Sequence, residues 1–181
     1  MDVLARDIGM TSVCPKSHCR VGCFNKRNRN IVGRFRARDI EISCQRCNSA
    51  AATFSKKITV KAFLKRTING NVLIRRKPFL YTLYKIFSHN VYCQKYKMFN
   101  DEIAFSTNNH EILDNILTFE EIRDAIDNFF DKSNHGIIMA CNNYIVYAEQ
   151  YNVMTRSRRL RIKNATELIC DIADAIDLIK S

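Results

Sequence analysis

Cysteine spacing near the start of the chain sets the tightest limit on its architecture. The segment reads Cys14-Pro-Lys-Ser-His18-Cys19-Arg-Val-Gly-Cys23, passes through a basic insert, and closes on Cys44-Gln-Arg-Cys47. Zinc takes four thiolate or imidazole ligands in a tetrahedron, and paired-cysteine turns commonly supply them. Cys44 and Cys47 form one half-site and Cys19 and Cys23 the other, with Cys14 or His18 able to replace one member. A redox pair would need a βαβ setting around Cys44, and no second parallel-strand unit is visible there. Buried free thiols remain the plain alternative. Spacing favours structural zinc, closing a small module over residues 1–50.

The insert between Cys23 and Cys44 carries Lys26, Arg27, Arg29, Arg34, Arg36 and Arg38 against Asp39 and Glu41. Its charge belongs to a larger asymmetry. Residues 1–100 hold 21 Lys and Arg and 4 Asp and Glu, a balance of +17, whereas residues 101–181 hold 8 and 14, a balance of −6. A basic half of this kind suits an acidic partner, and the more neutral half suits folding or protein contact. Arg34, Arg36 and Arg38 share a parity, so a strand through them projects all three from one face. With Arg75, Arg76 and Lys77 they form the expected phosphate-contacting set. The bland reading is a solvated edge that discourages strand pairing.

At 181 residues the chain suits one domain, or a small module joined to a larger one. Met1 to Val13 contains Asp2, Arg6 and Asp7 and lacks the apolar core of a signal peptide. No apolar run reaches the ~20 residues that span a bilayer. The expected setting is therefore a reducing compartment, where metal-bound or free cysteine outweighs disulfide.

Residues 51–181 read as a mixed α/β domain with a helical core and a C-terminal amphipathic helix. Val60, Phe63, Leu64 and Ile68 fall at helical spacing, with Lys57, Lys61 and Lys65 on another side. Asn69-Gly70 ends that segment. Pro78 opens a helix over Phe79 to Phe87, and the aromatics from Phe79 to Phe99 are interleaved with Lys85, Lys95 and Lys97. Bases can stack on such rings, although core packing is the commoner use. His110 to Leu117 shows an apolar stripe, and Thr118-Phe-Glu-Glu121 reads as a capping box for a helix to Phe130. Ile137–Cys141 and Tyr144–Glu149 read as a hairpin turning at Asn142-Asn143. A second basic cluster, Arg156 to Lys163, precedes a final helix over Ala165–Ile179, capped by Asn164 and Glu167. Its Asp171, Asp174 and Asp177 face away from the apolar side, either solvated or docking a basic patch of this chain or of a second copy. The fold expectation is α+β: a small N-terminal zinc-stabilised β module, then a mainly helical part with a β-hairpin.

Enzyme signatures for phosphate loops, dinucleotides, zinc proteases and serine hydrolases are absent from the sequence. Cys93, Cys141 and Cys170 with His89, His110 and His135 have no local signature for a catalytic pair, so binding outranks catalysis. The total length, the Cys14…Cys23 and Cys44…Cys47 groupings and the Asn/Ile/Lys/Phe-rich wording resemble the baculovirus late expression factors. That resemblance implies an accessory factor for late and very late viral gene expression, with no catalytic residues. Its implied setting is the host nucleus, with the cytoplasm also open, and it is not secreted. The expected partners are nucleic acid, DNA or RNA, or the viral transcription machinery, and no membrane. The competing reading is a protein-interaction adaptor, with the same structural zinc, that recruits viral or host proteins.

Overall fold

The computed structural model describes residues 2–12, 28–47, 55–76, 103–130 and 136–178. Its central element is a long strand, β4 (Ser55–Arg76). Even positions carry Ile58, Val60, Ala62, Leu64, Ile68, Val72 and Ile74, all buried, while Lys57, Lys65, Thr67, Asn69 and Asn71 on odd positions are exposed. That period of two is a strand's, and its β-branched residues suit a pleated surface. The helix expected from Ile58 to Ile68 is therefore corrected. Lysines four apart fit either period, because four is an even number. Phe63, grouped with Val60 and Leu64 in the helical reading, lies on the opposite strand face and is half-buried.

The remaining strands are β1 (Thr11–Ser12), β2 (Asn28–Phe35), β3 (Arg38–Cys47), β5 (Ile103–Thr107) and β6 (Ile137–Tyr151). All pairings are antiparallel, in the order β1-β2-β3-β4-β5, with β6 also on β4. One edge of β4 is shared: β3 takes its first half, from Cys47↔Ser55 to Ile40↔Ala62, and β5 takes its last residues, from Val72↔Thr107 to Arg76↔Ile103. β6 runs along the other edge, from Lys56↔Tyr151 to Arg75↔Ile137.

This arrangement overturns the expected N-terminal zinc-stabilised module and mainly helical remainder. β2 and β3 are strands of the same sheet as β4, β5 and β6, and the sheet dominates the described residues. Over 44–47 the backbone is extended and paired, Cys44 with Ile58 and Cys47 with Ser55, where a zinc half-site would need a tight turn. Among the described residues no group of three or more His, Cys, Asp or Glu is arranged to hold a metal. Cys14, His18, Cys19 and Cys23 lie outside the described residues, as does the aromatic stretch from Phe79 to Phe99.

The expected hairpin over 137–149 is also corrected, since β6 is one continuous strand. Asn142 does take a positive φ of 52°, but it does so at an irregularity in the β4–β6 ladder and not at a turn. The register shifts on both sides of Ile68↔Asn142, so β4 bulges while β6 passes through. Gly70, φ 135°, sits in that bulge; a Cβ there would lie 2.6 Å from the Asn109 Cβ. Asn108 and Asn109 hold the bulge by side-chain bonds, Oδ1 accepting from Asn71 N at 2.6 Å and Nδ2 donating to Asn69 O at 2.6 Å.

Four helices complete the described residues: α1 (Asp2–Ile8), α2 (His110–Thr118), α3 (Glu120–Phe129) and α4 (Arg156–Leu178). α2 buries the expected Ile112, Leu113, Ile116 and Leu117, and Asn109 caps it by accepting from Glu111 N and Ile112 N. The capping box expected at Thr118 is not formed. Thr118 ends α2, its hydroxyl donating to Asp114 O at 2.9 Å, and α3 begins without a side-chain cap. α4 starts nine residues before the expected Ala165, because Thr155 accepts from Arg158 N at 3.2 Å and caps the helix there. Ile162, Leu168, Ile169, Ile172 and Ile176 of α4 are buried in one core with Ile42, Ile58, Val60, Ile145, Leu113, Ile126 and Leu4. Removing one such side chain from water contributes about 1.5–3 kcal/mol, which explains why a single apolar face organises all four helices.

Candidate nucleic-acid interface

The arginines expected to share a strand face are divided by a turn. β2 and β3 join through Arg36 and Ala37, whose φ values of 50° and 61° give a two-residue connection in the left-handed region. Arg34 stays exposed and pairs with Asp39 at 3.0 Å. Arg36 crosses to α4 and pairs with Asp171 at 2.8 Å, its guanidinium 5.3 Å from the Phe35 ring centroid. Arg38 is buried. It bridges Asp174 and Asp177, the latter at 2.7 Å, and donates to Phe63 O at 2.7 Å. Burial works against the Arg38 charge, but the bonds to both aspartates outweigh it and hold the guanidinium above its ordinary pKa. Asp177 also accepts from Lys65 N at 3.1 Å.

The acidic face of α4 thus docks a basic patch of the same chain, one of the three alternatives open from sequence, of which solvation is the simplest. Of these pairs Arg38–Asp177 is the one buried on both sides, and removing a member of such a pair costs about 3–5 kcal/mol, since the other charge is left in low dielectric. Arg75 and Arg76 lie half-buried at the end of β4, and Lys77 lies outside the described residues.

Elsewhere the fold gathers cations that are remote in sequence. Lys56 and Lys57, at the start of β4, pair in the ladder with Tyr151 and Gln150 at the end of β6. From there the chain enters α4, whose first turns carry Arg156, Arg158, Arg159 and Arg161. Positive side chains oppose the helix dipole at an N-terminus by about 0.3–1 kcal/mol each, so this placement needs compensating anions. Asp7 of α1 supplies one, 2.9 Å from Arg159 Nε.

Glu149 of β6 supplies the other. Its side chain is 5% exposed and lies 3.2 Å from Arg158 Nε and 3.0 Å from Arg161 Nε. Tyr147, fully buried, donates its hydroxyl to Glu149 Oε2 at 2.7 Å. Burial, then the adjacent Glu149, push the Tyr147 phenol far above its ordinary pKa, so it remains a donor. Gly136 makes room for that ring, because a Cβ there would lie 2.3 Å from it.

Tyr151 completes the cluster. Lys56 Nζ and the Arg158 guanidinium lie 5.9 and 5.6 Å from its ring centroid, within cation–π range. Its hydroxyl and the Cys44 thiol are 2.7 Å apart, and burial followed by that bond raises the Tyr151 pKa. A cavity of about 490 Å³ opens beside these groups, walled by Lys57, Glu149, Gln150, Arg158 and Arg161 with Ile137 and Ala148. The cluster offers charge, hydrogen-bond donors and a concave wall. It suits binding an anion.

In the sequence Arg156 to Lys163 stand out as basic, but nothing local joins them to Lys56 and Lys57 or marks Glu149 as their counterion. Alternation in β4 was the available signal, since it places Lys57 at the start of a strand. Comparison with protein-family models and with curated proteins finds no match. Among solved structures, the mycobacterial trehalose monomycolate transport factor A, TtfA, aligns at 10% identity and a TM-score of 0.48, over 83% of this chain and 72% of that one. No helix among the described residues is long and apolar enough to cross a membrane.

Proposed function

We propose that this protein is an accessory factor for late and very late viral gene expression that acts in the host nucleus by holding nucleic acid, without catalysing a reaction. The viral assignment rests on the sequence resemblance to the baculovirus late expression factors. The binding assignment rests on one observation: Lys56, Arg158 and Arg161 meet around Tyr151 and Glu149 at one end of the sheet, Lys57 lines the cavity beside them, and Arg156 opens the same helix. Lysine and arginine neutralise phosphates and release condensed counterions, and a clustered basic surface is the footprint of that mode. Arg36 and Arg38, tied to the aspartates of α4, contribute to the fold and leave the cationic end in excess.

The test is a salt titration of binding to one single-stranded DNA and one RNA. Log affinity is expected to fall with log salt by about 0.7 per phosphate contact on single strands. Replacing Lys57 and Arg156 by Ala flattens that slope by about 1.4 units, whereas Arg36→Ala leaves it unchanged. An unaltered slope in the double variant removes this end from the interface. Absence of binding at low salt overturns the reading in favour of a protein-interaction adaptor.

A further inference from the structure

The cavity beside Glu149 has features that a plain basic surface does not need. Two arginines come from successive turns of α4, and a single buried carboxylate lies within 3.2 Å of both. Side by side without Glu149 they would repel; with it they are held as a pair on one wall. Glu149 Oε1 and Arg158 Nε are buried and close, yet out of line for a hydrogen bond. The ion pair therefore leaves both atoms with bonding capacity that their contact does not satisfy, a costly state inside a protein. Lys57, exposed on the sheet, lines the same cavity. Lys57, Arg158 and Arg161 against Glu149 leave the lining with a surplus of two positive charges. A continuous phosphodiester brings one negative charge per residue, whereas a terminal phosphate monoester brings close to two. The other walls are unlike an ion site. Ile137 is 38% exposed, an apolar surface for a sugar or a base, and Gln150 is exposed beside it with an amide able to donate and accept. At about 490 Å³ the space falls in the range of small-molecule pockets and exceeds what a bare anion fills.

We infer that this cavity binds a phosphate monoester carried on a nucleoside, either the terminal phosphate of a nucleic-acid strand or a free nucleotide. Arg158 and Arg161 hold the phosphate as a pair positioned by Glu149, Lys57 closes over it from the sheet, and Gln150 and Ile137 meet the nucleoside. This rests on the proposed nucleic-acid function, and deepens it from a surface to a strand end.

The experiment uses the full chain with four probes measured by calorimetry or fluorescence anisotropy: a single-stranded oligonucleotide with a 5′-hydroxyl, the same strand with a 5′-phosphate, a nucleoside 5′-monophosphate, and inorganic phosphate. The 5′-phosphorylated strand is expected to bind about tenfold more tightly than its 5′-hydroxyl form, as one charge-assisted contact implies. The free monophosphate competes for the same site and binds more tightly than inorganic phosphate. Lys57→Gln, an exposed change with no buried partner, removes the preference for the phosphorylated end. Equal binding of both strands, in the parent protein, overturns the pocket while leaving the surface reading intact. Inorganic phosphate matching the monophosphate overturns the nucleoside contact. A 5′-hydroxyl strand that fails to bind while the monophosphate does overturns the surface reading alone.

Discussion

Three side chains in the core keep a proton they would lose in an unfolded chain at high pH. Burial pushes the Cys170 thiol up to about 12, from an ordinary 9.0. Burial also raises the phenols of Tyr147 and Tyr151 well above their ordinary 10.0. For each, the folded form binds its proton more tightly than the unfolded form. Their contribution is therefore fully present below pH 9 and is lost as pH rises through 9 toward 12, where only the unfolded chain ionises. Melting temperature is expected to hold from pH 7 to 8.5 and to fall steadily above pH 9. Tyrosinate absorbance should show two of the tyrosines titrating only as the protein unfolds. A melting temperature that stays level to pH 11 would show that these groups ionise within the fold. The raised titrations are not legible in the sequence, although burial of an isolated thiol such as Cys170 is its plain reading. Cys170 was grouped with other isolated thiols, and the burial of Tyr147 depends on Gly136 and the helices packed above it.

At the scale of elements, the parts legible in the sequence were those whose partners are local. The apolar positions of α2 and α3 repeat at three and four, and the stripe picks out the buried Ile112, Leu113, Ile116 and Leu117 of α2 and Ile122 and Ile126 of α3, whereas Ala125 and Phe129 on the same stripe are half-buried. β4 reads as a helix because its lysines satisfy two periods at once and Phe63 lends the helical one an extra match. β6 reads as a hairpin for a different reason: Asn142 does adopt the left-handed conformation that an Asn pair signals, but inside a strand. This gives a clean test, because Asn142 is exposed and its backbone alone is at stake. Asn142→Val is expected to destabilise the protein by about 1–2 kcal/mol, the cost of forcing a branched residue into that region. Asn142→Gly should be close to neutral. Urea denaturation with an unchanged slope reads both values, and a neutral Val variant would mean that the irregularity relaxes without Asn142. The candidate site was legible only as two fragments. Lys56–Lys57 and Arg156–Arg161 meet because β4 pairs with β6, and no local period reports a pairing across that distance.

For the whole molecule, the same pairing governs what the isolated parts can do. α4 buries its isoleucines against the sheet and anchors the β2–β3 turn through Arg36 and Arg38. A fragment of residues 1–136 therefore lacks both the second edge partner of β4 and the cover of its apolar face. Limited proteolysis should find no resistant core in that fragment, whereas the full chain should protect 55–76; protection in the fragment would show that the first strands fold alone. Lys56 waits for Tyr151, and Ile58 for Glu149, nearly a hundred positions later. During synthesis at about 5–20 residues per second, β4 therefore spends several seconds outside the ribosome with one bare edge and an uncovered apolar face. Closing such distant pairs is slow, so assembly belongs to the millisecond-to-second regime and follows translation of the last helix. The nascent chain is a natural client for chaperones, and the yield of folded protein depends on how long that edge is shielded.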